Sequence, residues 1–353
     1  MARYASQKPA GYKNFVHNVA IVGAGGQVGT HITNALLSQG KHHVTAITRP
    51  ESTNKLPNVH TIKKVDQSNH AEFVDALKGQ DVLILTLPAG NQRDAQTTIV
   101  DAAVEAGVKY IMPNEWGVDC SNESLANDVL IGAAAKRVRD YIKEKGQGKT
   151  HFIACTCSFW YEYSLAGTEA RYGFDFGEKK VVFFDDGNTK ITTSTWPQTG
   201  RAVAKLFALP ILPKDENDKS LTLSQFHDDA LIIKSFTVSQ RDMFDSVLRV
   251  TGDKESDWKI IHEDAKERFE RSVDIMEKGN IVGFAMRLYT RVFYKNGGGD
   301  LSDKVVNKEL GLPEEDLDEY TKKAIEMAKE DNIWPRMSDR VGNHAFTQSR
   351  LNA

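Results

Sequence analysis

Four glycines lie close together in the segment AIVGAGGQVGTHI, at positions 23, 25, 26 and 29, between a β-branched apolar run and a helical pattern. Glycine lets the backbone turn tightly and approach a phosphate, and a helix N-terminus supplies free N–H groups and a favourable dipole. In this context the spacing predicts a pyrophosphate-binding loop. Its predicted contacts are Gly23, Gly25, Gly26, Gln27, Val28 and Gly29. A tight turn without a ligand is the alternative.

The end of the second predicted strand favours NADP(H) over NAD(H). An acidic side chain at this place binds a ribose 2′-hydroxyl, whereas an arginine accommodates a 2′-phosphate. In VTAITR no acidic residue precedes Arg49, and Lys55 follows nearby. We therefore expect Arg49 and Lys55 to contact the phosphate, although Lys55 is equally compatible with a solvated loop lysine.

Strands and helices alternate from Val16 to about residue 165, which predicts how these residues are positioned. The predicted strands are NVAIVG, HVTAITR, VHTIKKVD, DVLILTLP, VKYIMP and THFIACTCSF, and the predicted helices cover 28–40, 70–79, 96–106 and 128–145. Such alternation implies a parallel, doubly wound α/β sheet, the Rossmann fold. We assign residues 14–165 to an NADP-binding Rossmann domain, and 166–353 to a smaller, interleaved α/β substrate-binding region.

The second region has weaker signals. VVFFDDGNTK predicts a hairpin around residues 185–188, and KSLTLSQF is a candidate strand that returns to the main sheet. The stretches PKDENDKS and KNGGGDLSDK and the tail from Arg336 are predicted to be exposed loops or ends.

Ligands of open α/β sheets bind at the carboxyl ends of the strands. The residues at these ends that we expect to contact the cofactor are Thr86, Leu87, Pro113, Asn114, Ser158 and Phe159. Aromatic side chains follow two of the same strands, and we predict an aromatic substrate bound by Trp116, Trp160, Tyr161 and Tyr163. Packing in the interdomain core explains these rings equally well.

Several segments together resemble the isoflavone reductase-like and NmrA-like branch of atypical short-chain dehydrogenases, which includes phenylcoumaran benzylic ether and pinoresinol reductases. They are the glycine loop, Arg49, the stretch AAVEAGVKYIMPNEWGVD and the hairpin sequence DDGN. The family's P-S-E-F-G reads here as Pro-Asn-Glu-Trp-Gly at 113–117, and TWPQTGRAV departs from its D-I-G sequence. The resemblance covers roughly residues 16 to 210.

The resemblance implies NADP(H) as cofactor and Lys136 as the catalytic residue, which would contact the cofactor and assist proton transfer. Desolvation beside a nicotinamide would lower the pKa of such a lysine toward the working pH. A solvent-facing lysine on an amphipathic helix is the alternative. Tyr141 and Lys145 also match a Tyr-x-x-x-Lys spacing, but Lys145 lies about 13 Å further along the helix axis and next to its end.

Composition excludes several other classes of function. The formal net charge of −3 offers no general attraction to nucleic acid or anionic lipid. The N-terminus has no apolar signal segment, and the longest apolar run, 82–87, is too short to cross a bilayer. The three cysteines and ten histidines show no disulfide or metal-binding spacing. We expect a cytoplasmic protein without a metal, and the sequence leaves open whether the protein forms a homodimer.

The leading hypothesis is an NADPH-dependent reductase of an aromatic or conjugated small molecule, of the kind found in secondary metabolism. An NmrA-like redox sensor that binds the dinucleotide without turnover is the main alternative. A Rossmann relic with no ligand is the third.

Overall fold

The computed structural model describes residues 3–66, 68–88 and 93–329. The strands are β1 Asn18–Val22, β2 His43–Thr48, β3 Thr61–Lys64, β4 Val82–Leu85, β5 Tyr110–Met112, β6 His151–Thr156, β7 Phe159–Trp160, β8 Phe174–Asp175, β9 Lys180–Phe184, β10 Ile191–Ser194, β11 Asp229–Ile232, β12 Phe236–Val238 and β13 Lys259–Glu263. The helices are α1 Gln27–Gln39, α2 His70–Leu77, α3 Arg93–Glu105, α4 Glu123–Asp128, α5 Gly132–Gly146, α6 Tyr161–Leu165, α7 Trp196–Phe207, α8 Gln240–Thr251, α9 Ala265–Glu277, α10 Ile281–Val292 and α11 Leu317–Met327.

Seven strands form one parallel sheet in the order β11-β6-β5-β4-β1-β2-β3. Its central strand β4 is buried along its whole length. Val82 and Ile84 face the core beneath α1 and α7, whereas Leu83 and Leu85 face the core beneath α2, α3 and α5. This alternation follows from the two-residue repeat of a strand and explains the continuous apolar sequence. The predicted Rossmann fold is confirmed.

One strand from the second half of the chain completes the sheet. Residues 223–226 of the candidate strand KSLTLSQF form a 3-10 turn instead, and β11 begins three residues later, at Asp229, beside β6. The Asp228 carboxylate accepts hydrogen bonds from the His151 ring at 2.9 Å and from the Phe152 N–H at 3.2 Å. The predicted position of the returning strand was therefore wrong: the strand begins just after Asp228, whose carboxylate holds the chain at the start of β6.

The predicted hairpin around residues 185–188 is also wrong. β9 pairs with β8 and β13, whereas β10 pairs with β7 and β12 in a different three-stranded sheet. Asp185 and Gly187 adopt positive φ angles of 55° and 74°, so the turn itself is real. The turn passes the chain from one sheet to the other, and the pairing partners of β9 and β10 come from distant parts of the chain.

Helix boundaries follow local signals with one exception. α1 ends as predicted at Gly40, which has the left-handed φ of 66°. The helix predicted over 128–145 begins four residues later, at Gly132 of α5, because Leu130 has a φ of 64°, and α4 before it was not predicted. PKDENDKS and KNGGGDLSDK lie in irregular segments, and the tail from Arg336 falls outside the described residues. None of the helices in the described part is long and apolar enough to cross a membrane.

Candidate functional site

The turn between β1 and α1 backs directly onto the end of β4. Gly23 has a φ of 90°, and a Cβ atom on it would lie 2.1 Å from the carbonyl oxygen of Thr86. A Cβ atom on Gly29 would lie 2.1 Å from the carbonyl oxygen of Gly23. The Thr86 hydroxyl donates to the same oxygen at 3.0 Å, and the Gly26 N–H donates to it at 2.9 Å. Only glycine fits at positions 23 and 29, which gives the predicted loop its close-packed backbone.

A second segment lies over this loop. A Cβ atom on Gly25 would come within 2.9 Å of the Lys55 carbonyl oxygen and 3.2 Å of the Leu56 side chain. Arg49 stands exposed at the end of β2 and forms an ion pair with Glu51 at 3.4 Å. Exposed pairs of this kind contribute little stability, and the contact of Arg49 with a phosphate stays a prediction. Lys55 is thus brought beside the glycines, whereas Arg49 lies at the strand end, as its position in the sequence predicts.

The carboxyl ends of β4 and β5 are linked by side chains of the Pro-Asn-Glu-Trp-Gly segment. The Asn114 amide accepts a hydrogen bond from the Leu87 N–H at 2.9 Å and donates one to the Leu87 carbonyl oxygen at 3.1 Å. Gln96 accepts from the Asn114 N–H, and the Trp116 indole N–H donates to the Leu85 carbonyl oxygen at 2.9 Å. Thr86, Leu87, Pro113, Asn114 and Trp116 therefore share one edge, with Pro113 buried.

Ser158 and Phe159 face the second region of the chain. The Ser158 N–H donates to the Gly117 carbonyl oxygen, its hydroxyl lies 2.9 Å from that of Thr192, and the Phe159 ring stacks on Tyr289 at 4.2 Å. The two residues line a small cavity together with Val118, Asp119, Thr192 and Gly299. Their contact with a cofactor remains a prediction.

Lys136 does not have the environment that we expected. Its side chain is 69% exposed, and its amine donates to Asp140 one helical turn along α5. This hydrogen bond raises the pKa of Lys136, whereas a desolvated lysine would have a lowered pKa. The buried residues of α5 include Val138 and Ile142. Lys136 and the buried Val138 are separated by about 200° around the axis of α5, so they lie on opposite faces of the helix and Lys136 faces solvent.

The inward-facing cation of α5 is Arg139, which the sequence analysis did not single out. It forms a two-pronged ion pair with Glu115, and the exposed fractions of the two side chains are only 14% and 10%. Cys120 lies next to this pair, and burial raises the pKa of its thiol. The ion pair joins α5 to the segment that follows β5. Arg139 lies beside the apolar residues Val138 and Ile142 on the buried face of α5, and this position was the sequence feature that could have identified it.

Tyr141 and Lys145 face the neighbouring helix α3. The Tyr141 hydroxyl donates to Asp101 at 2.7 Å, and the Lys145 amine lies 3.9 Å from the same carboxylate. Both side chains thus have a structural partner.

Three of the four predicted substrate residues belong to one apolar cluster. Trp116, Trp160 and Tyr163 are partly buried against a core that includes Ala24 and Val28 of the glycine loop. Tyr161 is different, because it is fully buried in another cluster, where its hydroxyl bonds with Thr321 at 2.7 Å. The neighbouring residues of the chain point to opposite sides here, and Tyr161 is a core residue rather than a lining residue.

Trp196 and Glu162 extend this aromatic surface. The Trp196 ring lies 6.1 Å from Trp160, 5.6 Å from Tyr163 and 5.9 Å from His31 of α1, measured between ring centroids. Glu162 is only 3% exposed, and its Oε1 accepts a hydrogen bond from the backbone N–H of Trp196 at 2.9 Å. Burial raises its pKa to about 7. A glutamate within the aromatic run FWYEYSL was the only sequence signal for it.

Among the described residues, no group of three or more His, Cys, Asp or Glu side chains is arranged to hold a metal ion. Cys120, Cys155 and Cys157 are free thiols.

Comparison with known proteins supports the sequence motifs. Residues 16–169 match the model of the NmrA-like family. Oxidoreductase aprR of Aspergillus flavus is 29% identical over 306 residues, which cover 85% of this chain and 96% of that protein. Isoflavone reductase homolog A622 of Nicotiana tabacum is 29% identical over 185 residues, 49% of this chain and 58% of that protein.

Solved structures with the same fold cover nearly the whole of the described chain. A crystal structure from the study of pinoresinol-lariciresinol and phenylcoumaran benzylic ether reductases matches with a TM-score of 0.69 at 20% identity, covering 87% of this chain and 98% of that one. AtPrR2 with NADP⁺ and (+)-pinoresinol matches with a TM-score of 0.66 at 18% identity, over 88% and 99%. Residues 16–169 are therefore similar to the NmrA-like family, and the chain has the fold of the pinoresinol-lariciresinol and phenylcoumaran benzylic ether reductase structures, as its motifs predicted.

Proposed function

We propose that this chain is an NADPH-dependent reductase of an aromatic or conjugated small molecule. The observation that carries the proposal is the β1–α1 turn, in which Gly23 and Gly29 leave no room for a side chain against Thr86. That arrangement brings backbone N–H groups and a helix N-terminus to one surface, which suits a pyrophosphate. Arg49 and Lys55 suit a 2′-phosphate, since no carboxylate precedes them on β2.

The substrate class is supported by the aromatic surface beside the glycine loop. Trp116, Trp160 and Tyr163 are partly exposed aromatic side chains that suit a flat molecule, and the proteins named above include an isoflavone reductase homolog and a structure from the study of pinoresinol-lariciresinol reductases. When bound, the nicotinamide would supply the hydride, while the residues of this chain orient the two reactants and exclude water. A cytoplasmic location, the domain boundary near residue 165 and a homodimer remain parts of this proposal.

A redox sensor that binds NADP(H) without turnover is the second candidate. The observation that favours it is the position of Lys136, whose amine is exposed and paired with Asp140 rather than held at the sheet edge. A role for Lys136 in proton transfer requires its side chain to leave Asp140 when the ligands bind.

The test combines binding and turnover. We expect calorimetry to show tighter binding of NADPH than of NADH, and we expect NADPH oxidation with members of a panel of enones, quinones and benzylic ethers. Lys136→Ala is compared with Arg137→Ala, which changes the adjacent exposed cation of the same helix. Tight NADPH binding without turnover on any compound would favour the sensor, and no NADPH binding would refute both candidates.

A further inference from the structure

Three neighbouring side chains each keep a buried polar atom without a partner in the described part of the chain. These atoms are Nε1 of Trp160, Nε1 of Trp196 and Oε2 of Glu162. Buried donors and acceptors are nearly always paired in folded proteins, because an unpaired group loses its hydrogen bonds to water and gains none. Three of the seven such atoms found among the described residues belong to side chains that contact one another, which suits a polar group bound between these side chains in the functional state.

The three side chains form a contiguous group, which we name the Trp160–Glu162–Trp196 cluster. The two indole rings are 6.1 Å apart between centroids, and Glu162 Oε1 lies 2.9 Å from the Trp196 backbone nitrogen. Trp160 is the partly exposed member and forms the outer side of the cluster, where the partly exposed Tyr163 ring lies 6.4 Å from it between centroids.

The cluster packs against the helix that begins at the glycine loop. His31 of α1 stacks on Trp196, and a Cβ atom on Gly200 of α7 would lie 2.5 Å from the His31 carbonyl oxygen. Trp196 also belongs to the same core cluster as Val28, the second residue of α1. The cluster therefore packs on the helix whose N-terminus belongs to the proposed cofactor loop.

The unpaired atoms are suited to an acceptor oxygen. An indole N–H is a donor only, and a carboxyl group donates when it is protonated. Burial keeps Glu162 protonated to a higher pH than an ordinary glutamate; the charge of Glu315 raises its pKa further, whereas Lys323 lowers it. Arg201, which pairs with Glu315, and His31 are the other titratable groups close by.

We propose that the Trp160–Glu162–Trp196 cluster binds the carbonyl oxygen of an enone or quinone substrate and the hydroxyl oxygen of its reduced form. The inference rests on the proposed function for the source of the hydride. When a hydride brings two electrons to the conjugated carbon, the carbonyl π electrons move to the oxygen. The indole N–H groups stabilise the negative charge that develops, and the proton that neutralises it leaves the Glu162 carboxyl, which regains a proton from water.

A pair of matched ligands tests the site without any turnover. 4-Nitrophenol presents an oxygen that can accept these hydrogen bonds and exchange a proton, whereas 4-nitroanisole has the same ring with that oxygen methylated. Both are titrated into the full chain, with and without NADP⁺. We expect the parent to prefer 4-nitrophenol. Each of Trp160→Phe, Trp196→Phe and Glu162→Leu should lower that preference about 5-fold, the usual effect of one lost hydrogen bond.

The ratio of the two affinities is the informative quantity, because lost ring area affects both ligands alike. Trp258→Phe is the control, since its indole N–H already donates to Asp253. Equal affinity for the two ligands, no binding of either, or an unchanged preference in the folded variants would overturn the proposal. Trp160→Phe, at a partly exposed position, keeps the test decisive if Glu162→Leu does not fold. Failure of NADP⁺ binding alone would refute the proposed function instead.

Discussion

Replacing Glu162 by glutamine should remove a specific part of the pH dependence of stability. The ordinary pKa of this carboxyl is 4.5, and burial raises it to about 7 in the folded chain. A raised pKa means that the folded state holds the proton more tightly than the unfolded state does. The contribution is therefore fully present below about pH 4.5 and is lost as the pH rises through about 7.

The magnitude follows from the two pKa values. At one pKa unit per about 1.4 kcal/mol, the full difference is about 3 kcal/mol. Between about pH 5.5 and about pH 8 the linkage relation gives a loss of about 2 kcal/mol in the free energy of unfolding from this group alone. Glutamine has nearly the same shape and does not titrate, so Glu162→Gln should lack this loss.

Urea unfolding at the two pH values measures the effect, as the difference between parent and variant at each pH. Glu144→Gln, which removes an exposed carboxylate of α5, is the control. We expect Glu162→Gln to gain about 2 kcal/mol relative to the parent on going from the lower to the higher pH. The same difference at both values would show that Glu162 is ionised throughout, and the argument from its burial would then be wrong.

Three further substitutions probe other parts of the site. Gly29→Ala should weaken NADPH binding at least tenfold in calorimetry, because its Cβ atom would lie 2.1 Å from a backbone oxygen; Gly117→Ala, with open space around it, should change little. Arg139→Met should lower the unfolding free energy by about 3 kcal/mol, since it leaves a mostly buried carboxylate unpaired, whereas Lys136→Met, which breaks an exposed ion pair, should leave the urea midpoint nearly unchanged. Asp228→Asn should cost about 1 to 3 kcal/mol and speed amide exchange in β11, and unchanged exchange would contradict its role in pairing.

The first six strands were predictable because each depends on a local pattern. An apolar run bounded by glycine or polar residues and followed by a helical repeat leaves few alternatives, and β4 shows this with its alternating Val82 to Leu85 faces. The glycine loop was predictable for the same reason. The pairing of β9, β10 and β11 was not, because residues far away in the chain decide it.

The residues of the candidate site also divide into those that local patterns predict and those that depend on distant parts of the chain. Thr86, Leu87 and Asn114 came together because strand ends meet at one sheet edge, which topology alone predicts. The environment of Lys136 was predicted wrongly because the prediction relied on its match to the family's lysine. The helical repeat of α5, which turns the side chain away from the core, was given less weight. The raised pKa of Glu162 could not have been predicted from its place in the aromatic run, since its burial depends on Trp196 of α7 and its charge environment on residues near 315 and 323.

The pH profile of turnover would decide between the two acids of the site. If the Glu162 carboxyl supplies the proton, the rate should fall as the pH rises through about 7, where this carboxyl loses its proton. Glu162→Gln should then be slow, with no transition in that range. A proton from Lys136 predicts a different profile, because a lysine amine with its ordinary pKa stays charged throughout that range even after it has left Asp140. A flat profile in the parent, together with loss of turnover in Lys136→Ala and not in Arg137→Ala, would show that Lys136 and not Glu162 is the proton donor.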